Sequence, residues 1–172
     1  MIATPPTLVF TSGLDPFQFL INISTFSRAG HVAIGLGDTL LHAYEPGVVL
    51  EPRERWFTSK KQRLVYECEI LPDVSSGLRE CFAHIGEPYD VAGAIRIGIW
   101  IALKRFLSPI QNLGPASKTS HTCASFAMLL DPHGERIREW REVRRSIVTP
   151  ADLLLAAKGP SFRSISQPVA EV

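Results

Sequence analysis

Short apolar segments with alternating polar positions fill the first half of the chain, and stretches with helical spacing dominate the second half. Alternation predicts β-strands, because one face of a strand repeats every second residue; the predicted strands are 7–10, 31–36, 39–45, 47–51 and 63–70. Helical spacing bounded by caps or breakers predicts helices over 16–26, 53–58, 75–85, 90–107, 123–130 and 150–157. Because the strands cluster without a regular strand–helix rhythm, the pattern favours an α+β fold, with an antiparallel sheet packed against helices.

The strand at 63–70 has the clearest alternation in the chain. Its buried face is predicted to carry four side chains, Leu64, Tyr66, Cys68 and Ile70. Cys68 on this face and Cys81 on the helix at 75–85 are therefore interpreted as core residues, which is the usual place of a free cysteine.

Length and composition indicate one soluble-type domain over residues 1–158, followed by a flexible polar tail at 159–172. The net charge of +1 and the lack of a nucleic-acid-binding motif predict no nucleic-acid partner. Residues 1–6 show no signal-peptide pattern, and three cysteines do not form a disulfide framework. We therefore expect a cytoplasmic protein with free thiols, while export by another route or release by a phage stays open.

The most apolar stretch, residues 91–107, is shorter than a membrane span requires and is interrupted by Arg96. It predicts a buried or half-buried helix and no transmembrane segment. The alternative is an interfacial helix that contacts a membrane surface, with Trp100 and Lys104-Arg105 at the boundary.

Two histidines lie on the predicted hairpin formed by the strands at 31–36 and 39–45. A two-residue turn at Gly37-Asp38 places Ala33 opposite His42, so that His31 and His42 share one face on a diagonal. A three-residue turn would shift the register by one residue and place the two rings on opposite faces.

Cys123 begins a predicted helix after the polar segment Ser120-His121-Thr122, in which Ser120 or Thr122 is the expected cap. A helix N-terminus and a nearby imidazole both lower the pKa of a thiol. This combination predicts a nucleophilic Cys123, with His31 as the base and His42 as the residue that orients it.

Other interpretations of these residues stay open at this point. Core packing is the alternative role for His31, for His42 and for Cys123. His121 is an alternative local base. His31, His42 and Cys123 together are also suitable zinc ligands. Because no close ligand pair such as C-x-x-C or H-E-x-x-H is present, we expect no metal and no cofactor. His84 is interpreted as structural and His133 as a surface turn residue.

The order of several short segments resembles the circularly permuted branch of the NlpC-type, papain-like cysteine hydrolases, which includes lecithin–retinol acyltransferase-like proteins. The likeness extends over about residues 7–157. It is carried by Thr25–Gly30 before His31, by Gly30–Gly37, Leu41-His42-Ala43 and Gly47-Val48-Val49, by Gly86-Glu87-Pro88-Tyr89-Asp90, and by Thr149-Pro150-Ala151-Asp152-Leu153. One departure is Cys123-Ala124-Ser125, where many members read Cys-Ser-Glu.

The resemblance implies a permuted papain-like fold and acyl transfer through Cys123, with His31 as base, His42 as the orienting residue and Tyr89 lining the site or supporting the oxyanion. The implied substrates are a peptide or peptidoglycan amide, which we favour, or a lipid acyl group. The altered segment after Cys123 also admits an inactive domain that binds a peptide or a partner protein.

Overall fold

A six-stranded antiparallel sheet forms the centre of the computed structural model, which describes residues 4–14, 16–96, 99, 121–141, 143 and 148–166. The strand order is β4-β3-β2-β1-β5-β6, and every pair is antiparallel. The strands are β1 Thr7–Ser12, β2 His31–Leu36, β3 Thr39–Tyr44, β4 Gly47–Pro52, β5 Arg63–Ile70 and β6 Phe162–Ser166. The predicted α+β class with an antiparallel sheet is confirmed.

Helices connect the strands and cover both faces of the sheet. They are α1 Pro16–Thr25, α2 Arg53–Ser59, α3 Ser75–Ala83, α4 at 91–96, α5 Cys123–Ala127 and α6 Pro150–Ala156, with 3₁₀ turns at Met128–Leu130 and Arg138–Arg141. The predicted helix at 90–107 is thus observed over its first turns, and its continuation lies outside the described residues apart from residue 99. Within the described part of the chain, no helix has the length and apolarity to cross a bilayer.

The central strands β1, β2 and β3 are buried on both faces, so they separate two hydrophobic clusters. On one face, side chains such as Phe10, Val32 and Ile34 pack with the α5 residues Cys123 and Phe126 in the main cluster. The opposite face carries Val9, Ala33 and Leu40, which are covered by Trp56 of α2. Consecutive residues of β2 therefore face different helices, and His31 lies on the Trp56 side.

The predicted face of β5 is wrong at one position. Tyr66, Cys68 and Ile70 belong to the main cluster as expected, but Leu64 packs in the Trp56 cluster instead. The register between β1 and β5 shifts after Phe10, because a bulge places an extra residue on β5 at this point. The shift reverses the side on which the following residue lies.

The interpretation of residues 159–172 as a flexible tail is also wrong in part. Phe162–Ser166 forms the edge strand β6, which pairs with β5. Phe162 is buried in the main cluster and provides the apolar contact that fixes the strand. The rest of this tail, residues 167–172, lies outside the described residues.

Candidate functional site

The hairpin of β2 and β3 has the register expected from the sequence. Leu36 lies opposite Thr39 across a two-residue turn, and Gly37 in that turn has a φ of 63°. Positive φ at the first turn residue suits the primed turns that match strand twist. The ladder continues to Ile34 opposite Leu41 and ends there, so the two strands separate at the end that carries the histidines.

Three side chains form a hydrogen-bonded series across this open end of the hairpin. Nε2 of His31 is 2.8 Å from Nδ1 of His42, and Nε2 of His42 is 3.1 Å from Oε1 of Glu51. The two histidines are buried, with 2% and 0% of their surface exposed. The predicted contact between His31 and His42 is confirmed, whereas Glu51 was not predicted.

The position of Glu51 could have been predicted by deriving the register of the β3–β4 hairpin in the same way as that of the β2–β3 hairpin. His42 lies opposite Val49 and Leu40 lies opposite Glu51 across the β3–β4 pair. Alternate residues share a face, so Glu51 is the diagonal neighbour of His42 on the Trp56 side of the sheet. This residue pattern is visible in the sequence once Glu45-Pro46 is taken as the turn.

The carboxylate of Glu51 sets the protonation of both rings. The hydrogen bond from His42 lowers the pKa of the Glu51 carboxyl below its ordinary value, which keeps the group an acceptor. Nε2 of His42 therefore carries the donated proton, and its Nδ1 accepts from Nε2–H of His31. Nδ1 of a neutral His31 is then left without a proton and is the basic nitrogen of the series.

His31 lies in an aromatic environment that keeps it neutral. Its ring is in contact with Trp56, at 4.9 Å between centroids, and with Tyr44, at 5.7 Å. Burial, and secondly the neighbouring His42, holds the pKa of His31 well below its ordinary value. The imidazolium form is therefore disfavoured in the folded protein.

This lowered pKa predicts that the protein loses stability on acidification. The unfolded chain binds a proton at His31 near pH 6.5, and the folded protein does so only at lower pH. Stability should therefore fall as the pH drops through about 6.5, by up to about 1.4 kcal/mol per pH unit from this group. Urea unfolding between pH 7.5 and 5 measures the slope.

The matched variants for this measurement are His31→Asn and His133→Asn, since His133 is exposed. We expect a shallower slope for His31→Asn and an unchanged slope for His133→Asn. Parallel curves for His31→Asn and the unmodified protein would contradict the assignment.

Cys123 is the first residue of α5, and the cap of this helix is Thr122, one of the two expected candidates. The Thr122 hydroxyl accepts from the backbone N–H of Ser125, and the Ser125 hydroxyl accepts from the backbone N–H of Thr122. Glu or Gln commonly fills the position of Ser125 in such a capping box. Ser125, which stands at the position of the glutamate in Cys-Ser-Glu, thus still fixes the start of the helix.

The expectation of a lowered thiol pKa is wrong for the structure as described. Burial raises the pKa of Cys123 to about 11, because it removes the thiolate from water. The N–H groups of Val32, Ala124 and Cys123 itself act in the opposite direction, and no imidazole of the described residues is among the groups acting on the sulfur. The resting form of Cys123 is therefore a neutral thiol.

The hydrogen bond from Val32 locates the sulfur at the open end of the hairpin. The residue pair that flanks a two-residue turn is hydrogen-bonded, so the N–H of Leu36 points toward β3. N–H directions alternate along a strand, so the N–H of Val32, four residues earlier, points the same way. The β2–β3 ladder has already ended at Ile34. The Cys123 sulfur thus accepts the bond that a β3 carbonyl would otherwise take, next in the chain to His31.

A narrow cleft reaches His31 from the surface. It is lined by residues that include Gln18, Ile21, Gly30, His31, Tyr44 and Tyr89, and its cavity volume is about 20 Å³. This is room for about one or two water molecules. Tyr89, selected from the sequence, therefore lines the same cleft as His31, whereas the Cys123 thiol does not line it.

No protein-family model and no curated protein significantly matches this chain. The papain-like resemblance is therefore an expectation from short segments.

A second cluster of titratable side chains, which sequence reasoning missed, consists of His84, Glu87 and His121. Nδ1 of His84 is 2.8 Å and Nε2 of His121 is 3.2 Å from Oε2 of Glu87. Contact with His84, and more weakly with His121, lowers the pKa of the Glu87 carboxyl. Burial, and secondly His84, lowers the pKa of His121.

This second cluster also bears on the zinc alternative. Among the described residues, His84, Glu87 and His121 are the group arranged to hold a metal ion, rather than His31, His42 and Cys123. The interpretation of His84 as structural thus missed its contact with His121, because 37 positions separate the two residues in the chain. Cys68 and Cys81 are buried core residues as predicted, and burial raises the pKa of each to about 12.

Proposed function

We propose that this protein is a cysteine hydrolase or acyltransferase that forms an acyl-enzyme on Cys123. The observation that carries the proposal is the series His31–His42–Glu51, which leaves Nδ1 of His31 as a base at the open end of the hairpin. A buried imidazole oriented by a carboxylate is suited to act as a base, and a cysteine at a capped helix start is suited to act as a nucleophile. The Cys123 sulfur accepts from the N–H of Val32, which follows His31 in the chain, whereas the His31 ring lies on the opposite, Trp56 face of β2. The proposed proton transfer therefore requires the two groups to meet at the open end of the β2–β3 pair when substrate binds.

In the proposed reaction, Sγ of Cys123 attacks a carbonyl carbon while Nδ1 of His31 takes the thiol proton. The bond to the leaving group breaks, the proton passes from His31 to that group, and a thioester remains on Cys123. Water or a second acceptor then attacks the thioester, gives a proton to His31, and releases the acyl product as the thiol is restored. Tyr89, which lines the cleft, is proposed to contact the substrate.

The two pKa directions favour general-base catalysis over a preformed ion pair. Cys123 is raised to about 11 and His31 is lowered, so the resting pair is a neutral thiol and a neutral imidazole. The proton moves during attack rather than before it. His42 and Glu51 stabilise the imidazolium that forms at this moment, because the Glu51 carboxylate compensates the new charge.

A peptide or peptidoglycan amide is our first choice of substrate, and a lipid acyl group is the second. The observation that favours the lipid is an apolar surface near the cleft. Phe19, Ile23 and Phe26 in and after α1 are 54–69% exposed, and Ile95 and Ile99 are also exposed. Ile21, which lines the cleft, lies on the opposite side of the same helix, so α1 carries the apolar surface on one side and the cleft on the other.

Mass spectrometry after incubation with acyl donors tests the proposal. Activated short-chain esters, a peptide amide and phospholipid vesicles are the donors, and acid quenching preserves a thioester. We expect the acyl mass on Cys123, none on the buried Cys68 or Cys81, and loss of the adduct in His31→Asn. The donor that reacts fastest identifies the substrate class.

Two outcomes would reject acyl transfer. One is the absence of any adduct or turnover with all three donors, which favours a binding domain. The other is equal modification of the three cysteines, which indicates non-specific reaction of thiols in transiently unfolded protein.

A further inference from the structure

The second cluster places three potential ligand atoms around one point. One ligand atom from each of His84, Glu87 and His121 lies within 4.8 Å of the other two, and Nδ1 of His84 and Nε2 of His121 both contact Oε2 of Glu87. The separations of 2.8 and 3.2 Å to the shared oxygen approach the roughly 3.3 Å between ligands of a tetrahedral zinc ion with bonds near 2.0–2.1 Å. Small movements of the side chains are enough to admit an ion.

These same three atoms are buried without a hydrogen-bond partner in the described part of the protein. The contacts to Oε2 of Glu87 are short, but they do not have the directions of hydrogen bonds. Burying an unsatisfied polar atom costs free energy, so three such atoms that face each other require an explanation. A shared cation satisfies all of them at once.

Glu80 supplies an independent observation. Its Oε1 lies 3.5 Å from Nε2 of His84, the ring nitrogen that faces away from the cluster. A metal-bound histidine commonly donates its second N–H to a carboxylate, which orients the ring and makes it a better ligand. Glu80 stands one turn earlier on α3, where it can serve His84 in this way.

The backbone around the cluster is fixed in place before any ion binds. Gly86 has a φ of 92°, which turns the chain after α3 and directs the next residue back toward the sheet. The carbonyl of Glu87 accepts from Val48 N–H at 2.8 Å, and the carbonyl of His121 accepts from Asp90 N–H at 3.1 Å. The ligands therefore come from two segments that are already joined by hydrogen bonds.

We propose that His84, Glu87 and His121 form a zinc site. Two imidazoles and one carboxylate suit zinc, and they leave a fourth position for water. Magnesium and calcium are disfavoured, since those ions prefer all-oxygen ligands. The ion joins the end of α3 to the segment that leads into α5, so it stabilises the fold independently of whether Cys123 is a nucleophile.

Zinc binding to the 172-residue chain, after removal of metal with a chelator, tests the site. Titration against a chromophoric zinc indicator gives the stoichiometry and affinity, with magnesium present in excess. We expect one zinc ion per chain and a higher unfolding temperature with zinc. Glu87→Gln and His121→Asn should each weaken binding at least about 10-fold, and Glu80→Gln about 10-fold.

Two control variants distinguish this site from the other histidines. His133→Asn removes an exposed imidazole, and His42→Asn removes one of the hairpin series; both should bind zinc like the unmodified protein. The proposal is overturned if the unmodified chain binds no stoichiometric zinc, if Glu87→Gln and His121→Asn bind it equally well, or if His42→Asn abolishes binding. Circular dichroism confirms that each variant compared is folded.

Discussion

Replacing Cys123 with alanine should abolish turnover of whichever acyl donor the protein uses, by about 10⁴-fold or more in kcat. No other group in the proposed reaction can form the covalent intermediate, and water alone is a poor nucleophile. Steady-state assays with the best donor measure the loss. Mass spectrometry of the same variant should show no acyl adduct.

The other two cysteines provide matched controls for this variant. Cys68→Ala and Cys81→Ala also remove a buried thiol from the main cluster, so they carry a similar cost in stability. We expect both to keep the activity of the unmodified protein when assayed well below their unfolding temperatures. Full activity in Cys123→Ala, or an equal loss in all three variants, would mean that the thiol at position 123 has a packing role only.

The hairpin could be predicted from the sequence because its determinants are local. Gly37-Asp38 sets a two-residue turn, and the turn sets the register that brings His31 and His42 to one face. The cap at Thr122 was likewise within reach, since helix caps depend on a few consecutive residues. These two predictions needed no knowledge of distant contacts.

Features that depend on distant contacts were missed. The bulge opposite Phe10 that turns Leu64 to the Trp56 side arises from the pairing of β1 with β5, and no local pattern in 63–70 marks it. β6 is short and polar apart from Phe162 and Ile165, so only its pairing with β5 makes it a strand. The contact of His84 with His121 similarly joins two distant segments.

The thiol pKa was predicted with the wrong sign because the sequence does not give burial. The helix start does supply N–H groups to the Cys123 sulfur, as expected. Packing of α5 on the sheet removes the same sulfur from water, and that cost is larger than the gain from the N–H groups. The direction of the pKa shift thus follows from how completely the packing of α5 buries the sulfur, which a sequence motif alone does not determine.

Replacing Glu51 with glutamine should lower kcat by about 10²–10⁴-fold while leaving KM nearly unchanged. A glutamine amide either donates or accepts, so it no longer requires the proton of His42 to lie on Nε2. Nδ1 of His31 then carries a proton in part of the molecules, and the imidazolium formed during attack has lost its compensating carboxylate. Glu51 is in this sense a positioning residue, since it acts on the reaction through two rings.

Glu54→Gln is the matched control, because Glu54 is exposed on α2, three residues along the chain from Glu51, and the substitution removes the same charge outside the cleft. It should keep kcat within about twofold, as expected for a surface substitution away from the hydrogen-bonded series. A structural role for Glu51 would instead lower the unfolding temperature and change KM together with kcat. If Glu51→Gln turns over substrate as fast as Glu54→Gln, the carboxylate does not set the protonation of His31, and the base must be oriented by His42 alone.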